Sequence, residues 1–218
     1  MSKKRYVPEG AILVCNKGSQ KKILKVTHNN NVSLYKVPYA NEEDKKEVYA
    51  LSFCYTCDDD DLRFPKITLG YNTLSNVKEE SYNATSKEDA KWNFDYWLQT
   101  EVETVGGKKD KLLKQWFAKT PHFYTDEEND RAIEEDEDLY DKLLKKGDRF
   151  CKEFIKEVIA LAKQLLDEGE IEKIFGRNIP IIIHQQDFEE TPILWTKKAN
   201  PAKLIKEFLE YWDGDDEE

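Results

Sequence analysis

This 218-residue chain has no run approaching 18 consecutive apolar residues, so it contains no segment that reads as a membrane-spanning helix. Its start, Met1-Ser2-Lys3-Lys4-Arg5, is positive but lacks the apolar stretch of a secretory signal. Four cysteines (Cys15, Cys54, Cys57 and Cys151) are too few for the disulfide framework of a small secreted domain. A cytoplasmic address is therefore expected, although export by a machine that reads no signal peptide would leave the same record. Catalytic motifs are also missing. There is no HExxH, no GxSxG and no glycine-rich phosphate loop, and none of His28, His122 and His184 sits in a nucleophile motif. No internal repeat is present. Positive charge is in deficit, with 34 Lys and Arg against 44 Asp and Glu, and the net charge of −10 disfavours nucleic acid and anionic membranes as partners. A basic protein is the partner such a field would steer.

What the chain does contain is ring area. Five Trp, eleven Tyr and ten Phe supply a core large enough for one large or two small domains, which argues against global disorder. Residues 10 to 75 read mostly as strands. Ile12 and Val14 alternate, as do Leu24, Val26 and His28, then Val32 and Leu34, with Asn29-Asn30-Asn31 as a hairpin turn between them. Val48 to Cys57 carries Tyr49, Leu51, Phe53 and Tyr55 on one side and Val48, Ala50, Ser52 and Cys54 on the other. Apolar residues on both sides predict a central strand. Asp58 to Asp61 ends it, and Ile67, Leu69 and Tyr71 mark the next strand.

From Ser86 the period changes to that of helices. Ser86 and Asp89 suggest a capping box, with Trp92, Tyr96 and Leu98 at helical spacing. Gly106-Gly107 is a break, and Leu112 to Phe117 a short helix. Residues 126 to 141 hold ten acidic groups and one arginine, a self-repelling block expected to be a mobile connection. A long helix follows over Leu139 to Leu166, with Gly169 as its stop signal. Ile179 to Ile183 is a buried strand, and Pro201 to Trp212 a final amphipathic helix capped by Asn200. Strands first, then helices around a returning strand, give an α+β fold with an antiparallel or mixed sheet packed by the C-terminal helices.

Chemistry-bearing residues are few. Cys54 and Cys57 with Cys15 and His28 are the one set with zinc-type ligands, but only one CxxC exists and its cysteines point to opposite faces of a strand. Inert buried thiols are expected, with no metal and no cofactor. Four aspartates follow that CxxC where a redox motif needs a helix start. His184 lies beside Gln185, Gln186 and Asp187, and a satisfied strand-end histidine is expected ahead of a general base; a hydrolase using it is the remaining enzymatic reading. The surface candidates are Asp58, Asp59, Asp60 and Asp61; Glu134, Glu135, Asp136, Glu137 and Asp138; and the aromatics Trp92, Tyr96 and Trp97. Rim carboxylates would steer a partner and exposed rings would anchor it.

Two resemblances supply context. Tyr6-Val7-Pro8-Glu9-Gly10-Ala11-Ile12-Leu13-Val14-Cys15-Asn16-Lys17-Gly18-Ser19, with Leu24 to His28 and Tyr39 to Lys45, resembles the opening of PAAR-like proteins, the β-rich spike-tip caps of bacterial contractile secretion machines. The remainder resembles cytoplasmic immunity-type proteins of bacterial polymorphic toxin systems in the order of its features. These are the strand and acidic turn Tyr55 to Asp61, Gly70-Tyr71-Asn72-Thr73, the Trp-rich Lys91 to Leu98, Phe175-Gly176, Ile179 to Ile183 and Lys197 to Pro201. The resemblances imply a PAAR-like segment at 1–50 and an immunity-type domain at 51–218. The expected function is that of a non-catalytic protein that binds and neutralises a toxin or effector. A delivery component of a type VI-like secretion system is the alternative, although too little β-sequence follows Glu47 to complete a spike tip.

Overall fold

The computed structural model describes residues 46–186 and 190–213, together with the two-residue strands β1 (Val14–Cys15) and β2 (Leu24–Lys25), which pair antiparallel. The hairpin expected at Asn29 to Asn31 lies outside the described residues. The fold is α+β. A mixed four-stranded sheet runs in the order β5-β4-β3-β6, with β3 (Val48–Cys57), β4 (Pro65–Thr73), β5 (Glu103–Gly106) and β6 (Ile181–His184). The β3–β4 and β4–β5 pairs are antiparallel, while β3 and β6 run parallel, with Leu51 opposite Ile181 and Cys54 opposite His184. Because β3 starts at Val48, a division at residue 50 falls inside the central strand.

The two sides of β3 differ from simple alternation at one point. Its register against β4 slips between Val48 and Ala50, a bulge that sends Val48 to one face and Tyr49 to the other, in reverse of the alternation along the sequence. Leu51, Phe53, Tyr55, Ile67, Leu69, Ile181 and Ile183 face the main core. There they meet Phe150, Phe154, Val158, Leu161 and Leu165 on the long helix α5 (Glu137–Asp167). The opposite face buries Tyr49, Ala50 and Ile182 under Val77, Trp92, Phe94, Trp97 and Phe208. These come from α1 (Leu74–Glu80), α2 (Lys87–Trp92), the single turn Phe94–Tyr96 with Trp97 directly after it, and α8 (Lys206–Asp213).

The acidic block is not a mobile connection. Thr125 and Glu128 form a reciprocal capping box at α4 (Asp126–Glu135), and one extended residue, Asp136, then caps α5 by accepting from the Leu139 amide at 2.9 Å. Carboxylates in a first helical turn face free amides and the positive end of the dipole, which offsets their mutual repulsion. The Trp-rich segment is likewise not one helix: α2 stops at Trp92 because Asn93 is extended, and the chain restarts at Phe94. Ser86 does cap α2, but the Asp89 carboxylate reaches the Thr85 amide at 2.9 Å instead of closing the box on Ser86. Helix α3 (Lys111–Phe117) is capped by Asp110, and α6 (Glu170–Phe175) sits between left-handed glycines 169 and 176.

Strand β6 is an edge strand, yet all four of its residues are buried. Its outer side is covered by α7 (Glu190–Ala199), a helix that periodicity did not reveal. Thr196 Oγ1 accepts from the Ile183 amide at 2.9 Å and donates to the Ile183 carbonyl at 3.0 Å. Four residues later, Asn200 accepts from the Ile181 amide at 2.9 Å and donates to the Ile181 carbonyl at 2.7 Å. Two side chains thus imitate a fifth strand, and Asn200 is a strand partner rather than the expected helix cap; Pro201 precedes the final turn Ala202–Ile205. Replacing Thr196 by valine keeps the shape but orphans two buried backbone groups at about 1–3 kcal/mol each. Denaturant titration of Thr196→Val is therefore expected to show a loss of about 2–6 kcal/mol; a loss below about 0.5 kcal/mol would contradict the strand-mimic role.

Candidate functional site

The turn Asp58–Asp60 closes on itself through cations. Asp59 and Asp60 both take left-handed backbone angles, φ 56°, which aspartate tolerates better than most residues. Asp58 bonds Lys66 Nζ and accepts from the Lys108 amide at 2.7 Å, and the Lys66 contact in particular holds its carboxyl below the usual range. Asp59 pairs with Lys108, 3.0 Å away. Gly107 has to lack a Cβ here, since one would lie 2.5 Å from Asp58 Oδ2. Asp61 holds the buried Arg63 through two-pronged bonds of 2.6–3.0 Å, and Arg63 also bonds Asp126 at 2.6 Å. Of the four aspartates proposed for a partner, only Asp60 is exposed without one of these cation bonds.

Trp92 and Trp97 are core residues. Tyr49 meets both edge-on at ring separations of 5.4 and 6.0 Å, and the Tyr49 hydroxyl and Trp97 Nε1 both donate to the Lys91 carbonyl. Their burial removes them as surface anchors; Tyr96 is half-buried. Cys15 has only its backbone described and His28 lies outside the described residues, so of the four zinc-type ligands only Cys54 and Cys57 are placed. Among the described residues no cluster of three potential metal ligands occurs. Cys54 and Cys57 do part to opposite sides, and Cys57 instead meets Cys151, with sulfurs 4.0 Å apart.

Beyond the aromatic layer no described helix covers the second sheet face. Ser52, Cys54 and Thr56 of β3 line a cavity of about 800 Å³ with Lys66, Thr68 and His184. The run of small polar residues at alternate positions of β3 was the sequence signal for an uncovered face. His184 stacks on Phe94 at 3.7 Å, and its Nε2 lies 2.7 Å from Ser52 Oγ. Nδ1 lies 3.1 Å from the Gln185 carbonyl, which can only accept, so Nδ1 carries the proton and Ser52 donates to Nε2. This distance is that of a catalytic pair, but the surroundings are not. Burial lowers the His184 pKa to about 4, and a backbone carbonyl, not a carboxylate, orients the ring. Among the described residues no carboxylate bonds the ring, and burial disfavours an imidazolium here.

A second surface lies at the α4–α5 corner. Glu134, Asp136, Glu137 and Asp138 are exposed and form no ion pair with any described residue. Beside them in the chain, Ile133, Tyr140 and Leu144 are 63%, 44% and 46% exposed. Sequence reading found the acids and missed these apolar neighbours, because an exposed Ile or Leu has the same spacing signature as a buried one. Glu135 belongs to α4 by its backbone. Among the described residues no helix is long and apolar enough to cross a membrane.

The depressed His184 pKa has a definite sign. The unfolded ring, with a pKa near 6.5, binds protons that the folded ring refuses, so this contribution is complete above pH 6.5 and falls away as pH drops toward 4. Between pH 6.5 and 5 the loss is about 2 kcal/mol. Wild type is expected to lose that much more stability than His184→Gln over this interval, and the wild-type ring resonances should not titrate above pH 5. A ring midpoint near 6.5 by NMR would contradict the assignment. No family model, curated protein or solved structure matches this chain.

Proposed function

We propose that the chain is a non-catalytic interaction protein of the immunity type, which binds a basic bacterial toxin or effector and neutralises it through the α4–α5 corner. The observation that carries this reading is the exposed set Glu134, Asp136, Glu137 and Asp138, unpaired among described residues and next to exposed Ile133, Tyr140 and Leu144. Apolar anchors rimmed by one sign of charge are the usual makeup of a steered protein interface. The net charge of −10 adds a long-range field of the same sign. The Ser52–His184 pair, with its ring held neutral by burial and bonded to no described carboxylate, gives a hydrolytic reading little support.

The test is affinity capture of partners from native lysate by the tagged chain, followed by binding kinetics and a toxicity rescue assay. A basic, stoichiometric partner is expected, whose toxicity the chain suppresses. Glu134→Lys with Glu137→Lys should slow its association at low salt by tenfold or more, with the difference closing at high salt. Tyr140→Ala should weaken affinity by roughly 30-fold as a central anchor, about 2 kcal/mol. Capture of spike components instead, or unchanged kinetics in both variants, would contradict the assignment.

A further inference from the structure

A second group of reactive side chains lies at the junction of β3 and α5. Cys57 ends β3, and Cys151 lies on the buried face of α5, ninety-four residues later in the chain. Their sulfurs are 4.0 Å apart, and the Tyr55 hydroxyl stands 3.5 Å from Cys57 Sγ. Both cysteines line a cavity of about 720 Å³, together with Asp148, Lys152 and Trp195. Cys57 also borders the cavity that holds Ser52 and His184, so it stands between two solvent-accessible spaces. A buried cysteine pair packed as inert hydrophobes would not need either opening.

We propose that Cys57 and Cys151 are a redox-active dithiol, which a peroxide converts reversibly to a disulfide tying the end of β3 to the middle of α5. The two sulfurs have to approach by about 2 Å to reach bonding distance, a step within the reach of side-chain rotation at two adjoining cysteines. The division of labour follows from the contacts. The bond from Cys151, assisted by the Tyr55 hydroxyl, favours the thiolate at Cys57 over the opposing effect of burial. Cys151 is held as the thiol by its bond with Cys57 and by burial, and its sulfur also lies 3.2 Å from the Leu62 carbonyl. Cys57 is therefore the attacking group and Cys151 the resolving one.

The Cys57 sulfur attacks one peroxide oxygen, the O–O bond breaks, and the displaced oxygen leaves as water with the thiol proton. The Cys151 sulfur then attacks the resulting sulfenic acid. The S–O bond breaks, and hydroxyl departs as a second water with the Cys151 proton. Two thiols lose two electrons in all, and one peroxide is reduced to two waters. A reducing thiol such as dithiothreitol reverses the bridge by exchange. Cys54, three residues before Cys57, takes no part, since alternation along β3 turns it away from Cys151 and burial raises its pKa.

The experiment treats the full chain with hydrogen peroxide, blocks remaining thiols with an alkylating reagent, and maps the peptides by mass spectrometry. The expected result is a mass loss of about 2 Da and a single linked peptide pair joining Cys57 to Cys151. Cys15 and Cys54 should remain alkylatable. The oxidised chain should melt roughly 5–10 °C higher, and dithiothreitol should restore the original midpoint. Cys54→Ser should retain the bridge, while Cys57→Ser and Cys151→Ser should each lose it. Mapping on the wild-type chain decides the matter even where a serine variant folds poorly. A bridge involving Cys54 or Cys15, or Cys57 oxidised while Cys151 remains fully alkylatable, would overturn the proposal.

Discussion

The structure depends on how the outer edge of β6 is satisfied. Four buried residues, Ile181 to His184, would leave the Ile181 and Ile183 amides and carbonyls facing away from β3 without partners. Each orphaned group would cost about 1–3 kcal/mol, a large fraction of the margin by which a domain folds. Thr196 and Asn200, one turn apart on one face of the same segment, supply both donors and both acceptors. The arrangement also blunts an edge that could otherwise recruit a strand from another molecule. Once β6 is fixed in parallel register, Ile182 seals the aromatic layer and His184 is placed beside Ser52.

From that placement the two faces of the sheet take different roles. One is filled by α5, with the Cys57–Cys151 pair at its margin. The other is divided. Its N-terminal half lies under Trp92, Phe94, Trp97 and Phe208, while Ser52, Cys54 and Thr56 remain in an open polar cavity. The bulge at Tyr49 makes this division possible, because it delivers a large ring to the layer where alternation alone would have put Val48. The acidic groups divide in the same manner. Asp58, Asp59 and Asp61 clamp turns through Lys66, Lys108 and Arg63, whereas Glu134, Glu137 and Asp138 face solvent. Net charge alone does not distinguish a clamp from a docking surface; the location of the cations does.

Much of the fold was legible where the signal is periodic and local. The central strand at Val48 to Cys57 and the long helix extending to Asp167 follow from apolar spacing, and Gly169 ends the helix in a left-handed conformation. The elements missed were those whose stability is tertiary. Helix α1 has a single fully buried side chain, Val77, β5 is four residues long, and α7 shows little amphipathic pattern because it meets β6 through Thr196. The acidic block was misread because repulsion was weighed without the capping amides. Of the candidate sites, the carboxylates at 134 to 138 were visible as a run. The contacts Ser52–His184 and Cys57–Cys151 span more than ninety residues each and leave no trace in a single sequence.

The central claim is that Thr196 of α7 and Asn200 just beyond it replace a strand at the edge of β6, and amide hydrogen exchange tests it most directly. If the account holds, the Ile181 and Ile183 amides exchange only on global unfolding, as slowly as amides inside the β3–β4 ladder, although among the described residues no strand pairs with the outer side of β6. Exchange of either amide at the rate of an open edge, with the β3–β4 amides still protected, would contradict it.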